Sequence, residues 1–184
     1  MTNLYRTKKV IMTKAEIAIA IKRLALEIVE KNHGTKDLAI IGIRTRGVFL
    51  AERLSAEIKK ISKKTMPIGV LDITLYRDDF TSLSEMPVVK ETQIPFVIDD
   101  KKIILVDDVL FTGRTIRAAL DEIIDFGRPQ SIQLAVLIDR GHRELPIQAD
   151  FVAKTFKTAL TEMISVNFQE IDNNDQVTLN DKVS

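Results

Sequence analysis

Apolar residues recur along this chain in two rhythms. Ile17, Ile21, Leu24 and Ile28 repeat at helical spacing, and the stripe they share predicts an amphipathic helix. Its start is marked by Thr13-Lys14-Ala15-Glu16, a capping-box pattern with Thr13 as N-cap and Glu16 at N3. Its stop falls near Asn32-His33-Gly34, with Gly34 in the C′ position and His33 a solvated helix-end residue. The second rhythm is the short unbroken apolar run of a strand buried on both faces. Such runs cover residues 38–43 and 103–106, and residues 132–138 make a third, broken only by Gln133. Residues 68–75 add a further strand, with Val70, Ile73 and Leu75 offering apolar surface.

The first run is followed by Val48, Ala51, Leu54 and Ile58, the second by Ile116, Leu120, Ile123 and Ile124, both at helical spacing. Residues 76–100 lose this periodicity, which predicts a functional loop, with a short returning strand at 94–98. Gly127-Arg128-Pro129 breaks the chain before the run at 132–138. Residues 151–168 read as strand in part, and Asn173-Asn174-Asp175 as a turn before a frayed polar tail. Strands alternating with helices predict an α/β domain with a parallel sheet. The loops 44–47 and 107–115 should then face one crevice at the strands' carboxyl ends.

Composition narrows the class. At 184 residues the chain is one domain with room for a true core. The absence of cysteine excludes a disulfide scaffold, a thiolate zinc site and a cysteine nucleophile. His33 and His142 are too few for a histidine-rich metal centre. Residues 1–9 lack an apolar signal core and no apolar run approaches 18 residues, so a soluble, cytoplasmic protein is expected. The net charge of +1 hides an asymmetry. Residues 1–64 carry 15 Lys/Arg against 6 Asp/Glu, the remainder 12 against 20. Such a split marks either a polyanion surface or ordinary solvated helix faces.

Chemistry concentrates where the run at 103–106 ends. Asp107 and Asp108 stand at the expected strand exit, and Thr112-Gly113-Arg114-Thr115 forms a small, hydroxyl-rich turn into a helix. Backbone N–H groups at a helix start favour an anion. Two acids beside a phosphate cradle suit a ribose 5-phosphate. A phosphoacceptor domain shares the acidic pocket but has no need of the turn. Thr45-Arg46-Gly47, also between a strand and a helix, is by itself an ordinary turn. Beside the acid pair it becomes a place where a glycine lets backbone approach and a forked guanidinium meets pyrophosphate oxygens.

The string Ile103-Ile104-Leu105-Val106-Asp107-Asp108-Val109-Leu110-Phe111-Thr112-Gly113-Arg114-Thr115 resembles the phosphoribosyl pyrophosphate (PRPP) fingerprint of the type I phosphoribosyltransferases. That resemblance implies a central, mainly parallel sheet with helices on both faces, a flexible lid at about 76–100, and a small hood built from the N- and C-terminal segments. It implies that Asp107 and Asp108 hold the ribose hydroxyls, that residues 109–115 cradle the 5′-phosphate, and that Thr45, Arg46 and Gly47 bind pyrophosphate. Arg77 would act from the lid, and Mg²⁺ would be bound through PRPP with no direct protein ligand.

Three further segments narrow the resemblance. Asp72-Ile73-Thr74-Leu75-Tyr76-Arg77-Asp78-Asp79, Gly127-Arg128-Pro129 and Ile138-Asp139-Arg140-Gly141-His142-Arg143-Glu144-Leu145-Pro146 are similar to the pyrimidine-operon regulator (PyrR) branch, over about residues 13–150. The branch implies uracil phosphoribosyltransferase activity, UMP- or UTP-promoted binding of pyrimidine-operon mRNA with transcription attenuation, and a homo-oligomer, dimer or higher. It places the base near Asp139, Arg140, Phe151 and Val152, and RNA near Lys22, Arg23, His142 and Arg143. Against the family pattern, Ala18, Ile19, Leu26 and Gln148 stand where Arg, Arg, His and Arg are expected. The alternative to the bifunctional reading is a nucleotide sensor with vestigial catalysis and a partly altered RNA surface.

Overall fold

The computed structural model describes residues 5–73 and 91–182. Its elements run β1 (Tyr5–Thr13), α1 (Lys14–Lys31), β2 (Leu38–Ile43), α2 (Arg46–Ser62), β3 (Ile68–Leu71), β4 (Lys102–Leu110), α3 (Arg114–Asp125), β5 (Ser131–Asp139), β6 (Phe151–Thr155), β7 (Glu162–Asn167), α4 (Gln169–Asp172) and β8 (Gln176–Lys182). Five strands form a parallel sheet in the order β3-β2-β4-β5-β6. The three apolar runs of the sequence are its three central strands.

Alternation along those strands sorts the core into two layers. Leu38, Ile40, Ile104, Val106, Ala135 and Leu137 pack with the buried stripes of α1 and α2. Ala39, Ile41, Ile103, Leu105, Leu134 and Val136 pack with Ile116, Ala119 and Ile123 of α3. A fully buried Ile or Leu of this kind contributes roughly 1.5–3 kcal/mol. Val48, Leu120 and Ile124, counted among the core stripes from spacing, are not fully buried, and Ile124 is exposed.

Helix α1 starts as expected. The Glu16 N–H donates to Thr13 Oγ1, and Glu16 Oε2 accepts from the Thr13 N–H at 2.7 Å. It ends in a Schellman motif: the His33 N–H donates to the Glu30 carbonyl at 3.0 Å and the Gly34 N–H to the Val29 carbonyl at 2.9 Å. The C′ residue is therefore His33, with φ 55, one position earlier than expected.

Three expectations are corrected. The strand expected over 68–75 stops at Leu71, because Asp72 and Ile73 leave the ladder with β2; residues 74–75 lie outside the described residues. The returning strand at 94–98 is absent: a single antiparallel bridge joins Val70 to Gln93, and Pro95 has no N–H to extend it. The tail after Asn173-Asn174-Asp175 is ordered strand over residues 176–182 rather than frayed. It is β8, the middle strand of an antiparallel sheet β1-β8-β7, with Val177 and Leu179 in the core. Two neighbours satisfy its backbone, and its alternation gives it one buried face. This second sheet, the hood, unites strands from near the two ends of the chain. Of the loop expected at 76–100, residues 76–90, Arg77 included, lie outside the described residues.

Candidate active site

Strand β4 carries the site, and it is longer than the apolar run suggested. β2 pairs with β4 only as far as Val106, whereas β5 continues the ladder through Asp107 to Leu110. Asp107 and Asp108 thus lie within a strand that is supported on the β5 side and has outrun its β2 partner. The space left by β2 is taken by the loop 44–47. A Cβ built on Gly47 would fall 2.5 Å from the Val106 carbonyl oxygen and 3.2 Å from the Asp107 Cα. Only glycine fits there. The two loops expected to share a crevice are in direct backbone contact.

Asp107 is buried, and its Oδ1 accepts from the Asp108 N–H at 2.9 Å. Burial pushes the Asp108 carboxyl up, opposed by its hydrogen bond with Asp107 and by the charge of Arg46. Arg46 therefore acts electrostatically on the acid pair from the neighbouring loop. Its guanidinium also donates to Asp172 Oδ1 of α4 at 2.8 Å, tying the loop to the hood. No sequence signal marks Asp172, which only the fold brings near.

The turn at 112–115 is held from below. The Thr112 carbonyl accepts from the N–H groups of Glu144 and Leu145, and Gly113 is in the left-handed region at φ 94, against Leu145 and Ile147. Helix α3 has no side-chain cap at Gly113, so its dipole is directed at the turn without a built-in anion. Arg114 pairs with Glu144 at 2.7 Å.

The segment after β5 folds back onto this turn. Arg140 is buried with its guanidinium 4.1 Å from the Phe111 ring centroid. It donates to Thr158 Oγ1, the Ala159 carbonyl and the Glu162 carbonyl at 3.0, 3.2 and 2.7 Å. Burial lowers its pKa, partly offset by Glu162. Arg143 donates to the carbonyls of Phe111 and Ile147 and pairs with Asp139. His142 Nε2 lies 2.6 Å from the Thr158 carbonyl.

The structure therefore gathers residues 45–47, 107–115, Asp139 and Arg140 at one end of the sheet. Phe151 and Val152 are not with them. Each stands three to four residues before the strand end, paired with Ala135 and Val136, and Phe151 is buried in the layer beneath α1. The β6 residue level with Asp139 is Thr155, followed by Phe156, whose N–H donates to the Asp139 carbonyl. Lys22 is exposed on α1. Arg23, on the same helix, donates to the carbonyls of Val152 and Ala153 and pairs with Glu27. Ile19 and Leu26, away from the buried stripe of α1, are 67 % and 55 % exposed.

A parallel sheet ending in an acid pair, an uncapped helix and a glycine-seated arginine loop defines a phosphoribosyltransferase-type domain. The family described as Phosphoribosyl transferase domain matches residues 9–170. Solved hypoxanthine phosphoribosyltransferases share the fold: one from Trypanosoma cruzi has a TM-score of 0.74 at 19 % identity, covering 94 % of this chain and 95 % of that one. One from Staphylococcus aureus has a TM-score of 0.70 at 20 % identity, covering 94 % and 92 %. Among curated proteins, the Bifunctional protein PyrR of Pelotomaculum thermopropionicum is 56 % identical over 95 % of this chain and 96 % of its own. That of Deinococcus radiodurans is 54 % identical over 95 % of each. The chain belongs to the PyrR family. Vestigial catalysis is not favoured, because relatives this similar are named bifunctional.

Proposed function

We propose that the protein transfers the ribose 5-phosphate of PRPP to uracil, giving UMP and pyrophosphate. The observation that carries this reading is the seating of Gly47 on Asp107, which sets an anion loop beside a ribose-binding acid pair. Asp107 and Asp108 hold the ribose hydroxyls. Residues Val109, Leu110, Phe111, Thr112, Gly113, Arg114 and Thr115 surround the 5′-phosphate, and Thr45, Arg46 and Gly47 receive pyrophosphate. The bond from C1′ to pyrophosphate loosens before uracil N1 attacks, so positioning and charge stabilisation supply the catalysis. Mg²⁺ would neutralise the pyrophosphate, bound mainly through PRPP with no direct protein ligand. Arg77 acts on the same leaving group and excludes water.

Asp139 and Arg140 bound the base side, joined to the segment 156–162. The protein acts in the cytoplasm as a dimer or higher homo-oligomer, and UMP or UTP in the same pocket promotes contact with pyrimidine-operon mRNA. On the RNA side, Lys22, Arg23, His142 and Arg143 carry the basic charge, reduced by Ala18, Ile19, Leu26 and Gln148. Pyrophosphate release from PRPP with uracil, hypoxanthine or orotate as acceptor tests the enzyme reading. Uracil-dependent release supports it, and release with another base alone would overturn it.

A further inference from the structure

Glu122 lies on the buried side of α3, 9 % exposed, beside the apolar Ala119 and Ile123. No step above uses it. Thr92 Oγ1 donates to Glu122 Oε1 at 2.6 Å and accepts from the Asp72 N–H at 3.0 Å. One hydroxyl thus ties α3 to the residue that follows β3. The neighbouring groups lead to the crevice. The Leu71 carbonyl, next to Asp72, accepts from the Arg44 N–H at 2.9 Å. The Glu91 carbonyl, next to Thr92, accepts from the Arg44 guanidinium at 3.3 Å. Arg44 immediately precedes Thr45, Arg46 and Gly47.

A leucine at position 122 would meet the packing requirement of this face. The carboxyl adds the acceptor that Thr92 needs, and its other oxygen, Oε2, is buried with no hydrogen-bond partner among the described residues. An unmet buried polar atom is a cost that packing alone does not explain.

We propose that Glu122 is a positioning residue of the pyrophosphate loop: through Thr92 it fixes the chain on which Arg44 rests. The inference rests on the phosphoribosyltransferase reading of residues 44–47. Burial pushes the Glu122 carboxyl up; Thr92 pulls it down, while Asp72 just past β3 and Asp125 on the same helix push it further up. The charged groups acting on it are both acids, and Thr92, facing it from the chain before β4, is neutral. A raised carboxyl keeps its proton in the fold longer than in the unfolded chain. Stability then declines as pH climbs from the ordinary carboxylate range toward the raised value.

The test compares the full chain with Glu122→Gln, Glu122→Leu and Thr92→Val. Calorimetric titrations use magnesium pyrophosphate and, separately, UMP; melting temperature is followed against pH. Glu122→Gln should bind pyrophosphate as the wild type does and lose the decline in stability with rising pH. Glu122→Leu and Thr92→Val should weaken pyrophosphate binding about 3- to 10-fold, the scale of one hydrogen bond, and leave UMP affinity unchanged, because UMP does not reach the loop. Thr92→Val loses only a hydroxyl and decides the matter if the leucine variant does not fold. Equal losses for UMP and pyrophosphate, or unchanged pyrophosphate affinity, would overturn the proposal. A wild type that binds both ligands but shows no uracil turnover would sink the enzyme reading while the titrations still decide the role of Glu122.

Discussion

Arg46 and Asp172, 126 positions apart in the chain, form a 2.8 Å ion pair across the edge of the crevice. Burial raises the carboxyl of Asp108, and the charge of Arg46 opposes that rise. The loop at 44–47 is thus held by an internal carboxylate that any incoming anion must share. Partly exposed pairs of this kind are worth about 0.2–1 kcal/mol.

Removing that competitor should favour the ligand. Asp172→Asn keeps a hydrogen-bond acceptor and removes the charge, so pyrophosphate should bind about 1.5- to 5-fold more tightly at low salt. The gain should shrink as salt rises. Isothermal titration at two ionic strengths measures it. Weaker binding in the variant would show instead that Asp172 orients Arg46 for the ligand.

Asp108→Asn leaves the shape of β4 intact and removes a charged acceptor for the ribose. A hydrogen bond to a charged group contributes about 1.5–3 kcal/mol, so roughly a 10- to 150-fold loss in PRPP and UMP affinity is expected. Unaltered turnover and UMP affinity in a folded variant would remove the ribose assignment.

The RNA surface should be weak. Arg23 and Arg143 direct donors to backbone carbonyls of the fold, and the exposed Ile19 and Leu26 offer phosphate nothing. Each lost base contact costs about 1–3 kcal/mol. A titration of pyrimidine-operon leader RNA with saturating UMP should therefore give weak, salt-sensitive binding with little sequence preference. Nanomolar, sequence-selective binding would refute this.

The hood is docked on α2 by Arg53, which pairs with Glu170 and Asp175 and lies 4.7 Å from the Phe168 ring centroid. Arg53 holds the Glu170 carboxyl below its usual range. Burial works against Asp175, yet Arg53 and the Gln169 N–H outweigh it and lower it too. Depressed carboxyls stabilise the fold above the ordinary carboxylate range, and this contribution is lost as pH falls through their folded values. Arg53→Met should melt below the wild type at neutral pH, and the gap should close in acid. Parallel melting curves across that range would contradict the network's role.

What the sequence made legible was local. The capping box at Thr13, the three buried runs and the acid pair are all written within a few residues, where periodicity and turn chemistry act. The contacts that complete the site are not. Asp172 reaches Arg46, and Arg140 reaches Glu162, only through the packing of the second sheet, while the register of β4 against β5 sets Arg140 beside Phe111. Strand β8 reads as a polar tail because polar residues dominate its composition, whereas its strand character comes from pairing on both sides. Phe151 has the composition of a base-flanking ring, but the register of β6 against β5 puts it too far from the strand end.

The placement of β8 between β1 and β7 has a consequence for synthesis. On the ribosome, the parallel sheet can be assembled while the hood still has two strands with no partner in each other. Only when residues 176–182 emerge do both edges gain a neighbour, and only then is Arg53 offered Asp175 beside a completed sheet. A nascent or proteolytically shortened chain ending near residue 175 would expose two strand edges at once, a template for intermolecular pairing.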